Sequence, residues 1–162
     1  MPITGELKLG GKYQLEGNAG GTVERCDPPK SFFVTWEYGG QVSWLEIRVV
    51  PETDEKTRLE LEHIAHVDER WTEYGPGAVG IGWDMAMLGL AQHLSHQESA
   101  ITPEQSAAWF TSTEGIEFMS ESSERWYAAD VASGTDAEQA RAAADRTKAA
   151  YTTPPETQPG DS

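Results

Sequence analysis

The sequence predicts an α+β fold: an antiparallel β-meander, a long helix after it, and a helical extension beyond. From residue 5 to about 66 apolar residues recur with period two, broken by Gly, Pro and Asp. The period then becomes helical, at Val79, Trp83, Met87, Leu90 and Leu94. Beyond residue 96 the chain still reads as helical but is thinner in apolar residues.

The alternating region holds five or six strands. Leu7 and Leu9 lead into Gly10 and Gly11, Tyr13 and Leu15 alternate up to Gly17, and Gly20–Gly21 opens a strand through Val23 to Cys26. Short turns of this kind make consecutive strands neighbours. Phe32, Val34, Trp36 and Tyr38 fall on one face, and Gly39–Gly40 turns the chain into Ser43, Leu45, Ile47 and Val49. After a polar turn from Pro51 to Lys56, Thr57, Leu59, Leu61, His63 and Ala65 share one face, with Arg58, Glu60 and Glu62 on the other. One side of the sheet therefore faces a core and the other meets water.

The long helix carries glycines at 80, 82 and 89, each costing about 1 kcal/mol relative to alanine. Close packing of the helix on the sheet is the expected compensation. Thr102 to Gln105 resembles a capping box before Ala107, Trp109 and Phe110, and Thr135 to Glu138 resembles a second before an alanine-rich helix reaching Tyr151. Between them Ile116, Met119, Trp126 and Val131 mark a further helix. Residues 152–162 read as a disordered tail.

Composition narrows the function. Twelve Lys and Arg against 27 Asp and Glu give a formal charge of −15, which repels phosphate backbones and anionic lipid. Neither nucleic acid nor membrane is an expected partner. A single cysteine, Cys26, rules out an intrachain disulfide and suits a reducing compartment, so the cytoplasm is the expected location. The first residues lack a basic region followed by an apolar run, and no stretch approaches the ~20 apolar residues of a membrane span.

Motifs that would carry chemistry are weak. Gly75, Gly77 and Gly80 satisfy G-x-G-x-x-G, but the residues before them, Asp68 to Tyr74, do not form the strand that a dinucleotide site needs. His63 and His66 are three apart in a strand and point to opposite faces. His93 and His96 share a helix face, without a third ligand, and suit a helix C-terminus electrostatically. Ser43, Ser95 and Ser112 lack a nucleophile-elbow context, and Cys26 lacks a basic activator nearby. Glu60 and Glu62 read as a solvated sheet face, not an acid/base pair. No catalytic residue, metal site or cofactor is nominated, and the reading leans away from an enzyme.

Four segments read together, GELKLGGKY from Gly5 to Tyr13, GTVERCDPP from Gly21 to Pro29 with FVTWE from Phe33 to Glu37, TRLELEH from Thr57 to His63, and Gly82–Trp83, carry a resemblance. The chain resembles the SRPBCC or START-like superfamily, in the branch described as activator of heat-shock protein 90 ATPase homologue-like. The resemblance spans most of residues 3–96 and implies a helix-grip fold, a meander wrapped around a long C-terminal helix with a cavity between them. It divides the chain into a domain at 1–96, a helical extension at 97–151 and the tail. It also implies an N-terminal strand and helix pair absent from this sequence, hence an open sheet edge that a homo-oligomer would cover.

With that cavity, Tyr13, Trp36, Tyr38, His63, Trp83 and Met87 become the expected ligand contacts, since aromatic linings with few polar groups are typical of small-molecule pockets. The competing reading of the same residues is ordinary core, His63 being a hydrogen-bonded core histidine. The expected function is non-catalytic binding of a small hydrophobic or amphipathic molecule. The alternatives implied by the resemblance are a chaperone ATPase-regulator role with a chaperone partner and, third, a polyketide cyclase or aromatase-like enzyme.

Overall fold

The strands run β1 (Ile3–Gly5), β2 (Lys12–Leu15), β3 (Gly20–Asp27), β4 (Ser31–Tyr38), β5 (Gln41–Pro51) and β6 (Thr57–Ile64). They form one six-stranded antiparallel sheet in sequence order, with β1 and β6 at its edges. The structure is a computed structural model and describes residues 3–95 and 103–153. By internal contacts the chain divides into two compact units, residues 1–66 and 67–162.

In the sheet unit, Tyr38 pairs with Gln41, so Gly39 and Gly40 alone connect β4 to β5. Their φ values of 58° and 78° fit the two-residue type I′ turn, which demands left-handed backbone at both positions. Val34 pairs with Leu45 and Leu45 with His63, which aligns the apolar positions of three strands on one face. Val23, Val34 and Leu45 are buried.

The first strand differs from the sequence reading. It is Ile3–Gly5, and Leu7 and Leu9 sit in the connection to β2, exposed by 64% and 71%. Gly5 has φ of 119°, and the bonds Glu6 N–H to Lys12 O at 3.1 Å and Gly11 N–H to Lys8 O at 2.8 Å fold residues 6–11 into a turn. Alternation there was a coincidence of spacing.

The helical unit comprises α1 (Glu69–Tyr74), α2 (Gly77–Leu94), α3 (Pro103–Phe110), α4 (Thr113–Ser133) and α5 (Ala137–Thr152). The Ser112 hydroxyl starts α4 by accepting from Gly115 N–H at 3.1 Å, and Gly134, at φ 110°, closes it by donating to Asp130 O and Val131 O. Asp136, and not Thr135, caps α5: its carboxylate accepts from Glu138 N–H at 3.0 Å and Gln139 N–H at 3.1 Å. The Thr135 hydroxyl is already committed to Asp130 Oδ1 at 2.7 Å. Thr102, His96 and the tail from residue 154 lie outside the described residues.

α4 and α5 form a hairpin whose seam is built from small residues. Ala140, Ala143, Ala144 and Thr147 are buried on α5, facing Met119 and Ser123 of α4, with Ser123 donating to Ala144 O at 3.1 Å. Arg141 seals the rim, with two bonds of 2.8 Å to Glu124 and its guanidinium 3.7 Å from the Tyr127 ring centroid. Thr147 and Arg146 of α5 hold the last carbonyls of α1, those of Tyr74 and Glu73, at 2.7 and 2.8 Å.

One glycine of α2, Gly80, is explained within this unit. A methyl built on Gly80 would overlap the Trp126 indole of α4, and one on Gly77 would lie 3.4 Å from Thr147 Cγ2 and 3.6 Å from Trp126 Cβ. Close approach of the Trp126 indole of α4 is what requires glycine at position 80, whereas a methyl at Gly77 would make only ordinary contacts. The face of α2 that meets α4 includes Gly80, Ile81 and Asp84; of the stripe Val79, Trp83, Met87, Leu90 and Leu94 that the periodicity picks out, Met87 also borders α4. Among the described residues no helix is long and apolar enough to cross a membrane.

Candidate functional site

Strand register puts Tyr13, Trp36, Tyr38 and His63 on one face of the sheet. Tyr13 pairs with Gly21 on β3, Trp36 with Ser43, and His63 with Leu45, two residues beyond Ser43 on β5. The His63 ring stands edge-on to Trp36, centroids 6.1 Å apart, and its Nε2 lies 2.9 Å from Ser43 Oγ. The Ser43 hydroxyl also reaches Trp36 O at 3.2 Å. If that hydroxyl donates to the carbonyl, His63 Nε2 carries the proton and donates to Ser43. Burial holds the His63 pKa below its ordinary value, so the neutral ring is favoured on this face.

Tyr13 is fixed differently. Its hydroxyl donates to Thr35 O at 2.6 Å, passing across β3 at Gly21, where a side chain would overlap Thr35 O. Thr22 N–H turns instead to the Thr35 hydroxyl at 2.8 Å, and that hydroxyl donates to Glu37 at 2.9 Å. Burial first, and then the Glu37 carboxylate, push the Tyr13 phenol up to about 12. Tyr38, at the end of β4, is 62% exposed.

The opposite face is closed by charge. Arg48 binds Glu46 at 3.0 Å, Glu60 at 2.9 Å and Glu62 at 3.1 Å, while Arg25 lies 4.2 Å from the Phe33 ring centroid and 3.7 Å from Glu46. Hydrogen bonding from Arg48 lowers the Glu60 pKa. Glu60 and Glu62 thus act as the two sides of an arginine clamp, which gives them a structural role.

The helical unit holds Trp83 and Met87. Trp83 is half-buried, and Met87 lines a cleft of about 540 Å³ between α2 and α4, together with Leu88, Ala91, Phe118 and Ala129. At the same cleft Asp84 Oδ2 accepts from Ser122 Oγ and, at 3.0 Å, from Trp126 Nε1. Sequence reasoning missed this group, although Asp84 is the one Asp, Glu, Lys or Arg of α2.

The remaining motifs find structural roles. Gly75, at φ 64°, ends α1, and its N–H donates to Trp71 O at 2.8 Å. With Gly77 and Gly80 packed as above, the G-x-G-x-x-G spacing follows a helix and serves a helix junction. His66 stands edge-on to Trp44 at 5.6 Å. Among the described residues no three of His, Cys, Asp and Glu are grouped to hold a metal ion.

With the sheet, the long helix and the one-sided cluster in place, comparison with known proteins settles the lineage. Residues 2–95 match the family described as activator of Hsp90 ATPase homolog 1-like protein. The chain belongs to this family. Its architecture is similar to that of CalU16 from Micromonospora echinospora. The crystal structure of CalU16 shares 31% identity at a TM-score of 0.54, over 78% of this chain and 66% of that one. Its solution NMR structure shares 32% identity at a TM-score of 0.57, over 82% and 71%. Comparison with curated proteins gives no match. Family membership confirms the α+β class read from the sequence: an antiparallel sheet, a long helix and added C-terminal helices. The helices α4 and α5 lie beyond the matched residues.

Proposed function

We propose that this protein binds a small apolar or amphipathic molecule without converting it, and that Tyr13, Trp36, Tyr38 and His63 are its contacts on the sheet. In the helical unit the proposed contacts are Trp83 and Met87. The observation that carries the reading is the asymmetry of the sheet. One face gathers aromatic rings and a histidine held neutral by burial, while the other is sealed by the Arg48 clamp. Aromatic surface with a few fixed polar groups is the chemistry of small-molecule recognition. A neutral imidazole, set by Ser43, adds a hydrogen-bonding group without the desolvation cost of a charge.

Titration with naphthol, followed by amide-correlation NMR, tests this. The expected result is saturable shifts at Tyr13, Trp36, Tyr38 and His63, with Arg25, Arg48, Glu60 and Glu62 unmoved. Shifts confined to the charged face, or none, would overturn it.

The family's description favours a second reading, regulation of a chaperone ATPase through the acidic surface of a chain with formal charge −15. Salt-sensitive binding to an Hsp90-type chaperone, unaffected by naphthol, would support that reading over the first.

A further inference from the structure

Apart from Met87, the cleft between α2 and α4 is built from side chains that the proposed function does not use. It lies wholly within the helical unit, and six of its ten lining residues come from α4, beyond the family-matched residues. Its volume of about 540 Å³ falls inside the few-hundred to ~1,000 Å³ range of small-ligand sites. Met87, Leu88, Ala91, Phe118 and Ala129 supply apolar walls.

Its charges are unequal. Glu121 and Arg125 face each other at 3.9 Å on adjacent turns of α4 and offset one another. Asp84 has no such partner. Its carboxylate is held at Oδ2 by two neutral donors, Ser122 Oγ and Trp126 Nε1, and no lysine or arginine reaches it among the described residues. This arrangement fixes the orientation of the carboxylate and leaves its charge uncompensated. Residues 96–102 and 154–162 contain neither lysine nor arginine, so they offer no side chain of that kind to neutralise it. The field of a chain with formal charge −15 draws cations in.

We propose that the α2–α4 cleft is a binding site for a small organic ammonium with an apolar body, its nitrogen on Asp84 and its body against Met87, Leu88 and Phe118. The site uses none of Tyr13, Trp36, Tyr38 or His63, and shares only Met87 with the contacts proposed above.

Phenethylamine, phenethyl alcohol and phenylacetate share one body and differ in charge, and titrating each against the full chain separates the cases. The readout is the Trp126 indole N–H resonance, which reports directly on the bond to Asp84. The expected result is a saturable displacement by the amine at least about 10-fold tighter than by the alcohol, with the acetate inert. Asp84→Asn keeps an oxygen for Ser122 and Trp126 and removes the charge, and should weaken the amine by a similar factor. Equal binding of amine and alcohol, amine binding unchanged in Asp84→Asn, or no saturable displacement by the amine would each overturn the proposal. Should Asp84→Asn fail to fold, the three-ligand series on the unaltered protein still decides it.

Discussion

Replacing Gly80 by alanine sets two opposed effects against each other, and the structure says which one wins. In an unconstrained helix the change stabilises by about 1 kcal/mol, because glycine loses more backbone freedom on folding. At Gly80 the new methyl would overlap Cε2, Nε1 and Cδ2 of Trp126, a ring already tethered through Nε1 to Asp84 at 3.0 Å. Overpacking of this kind costs about 1–3 kcal/mol, and a hydrogen bond to a charged group contributes about 1.5–3 kcal/mol if the indole is pushed off it. The expected net effect is a loss of about 2 kcal/mol. Gly89 is the internal control: in the same helix, a methyl there meets nothing within 4 Å, so Gly89→Ala should gain about 0.5–1 kcal/mol. Denaturant unfolding followed by far-UV circular dichroism measures both. If the two variants are stabilised alike, α2 does not approach α4 as described, and the explanation of Gly80 is wrong.

Other outcomes follow from single contacts. Arg48→Met leaves Glu46 opposite Glu62 with only Arg25, 3.7 Å from Glu46, as a nearby cation, so melting temperature should fall at low salt, and the gap should narrow in high salt. Because hydrogen bonding from Arg48 lowers the Glu60 pKa, that stability is fully present above the ordinary glutamate value of about 4.3 and is lost as pH falls below it through the lowered folded-state value; the variant should show a shallower acid limb. Burial lowers the His63 pKa, so the unfolded chain takes up the proton first as pH drops below about 6.5, and stability should decline from there; His63→Gln should flatten that segment of a stability–pH curve. Asp136→Ala should cost about 1 kcal/mol in thermal or chemical unfolding by exposing Glu138 N–H and Gln139 N–H at the start of α5.

The sheet was legible because its signals are local. Alternation assigns faces, and Gly39–Gly40 fixes the register that brings Trp36, Ser43 and His63 together. Where alternation ran on without a strand, at Leu7 and Leu9, the left-handed backbone of Gly5 had already turned the chain. The helices were legible in existence but not in facing. Large apolar residues dominate any periodicity reading, so the stripe of Val79, Trp83, Met87, Leu90 and Leu94 hid the Gly77–Gly80 face that α4 and α5 use. At α5 two adjacent capping residues competed, and Asp130, at the end of α4, decided between them by taking Thr135. Asp84 meets Ser122 and Trp126 across 38 and 42 positions, a separation that no local pattern spans. A lone charge inside an otherwise apolar helix was the available signal.

Native mass spectrometry of the protein purified without denaturant tests the central claim of small-molecule binding most directly. The account predicts a species carrying a discrete added mass that is lost on denaturation, and whose occupancy falls in His63→Gln. Only the bare chain mass, with His63→Gln indistinguishable from the unaltered protein and no shift on naphthol addition, would contradict it.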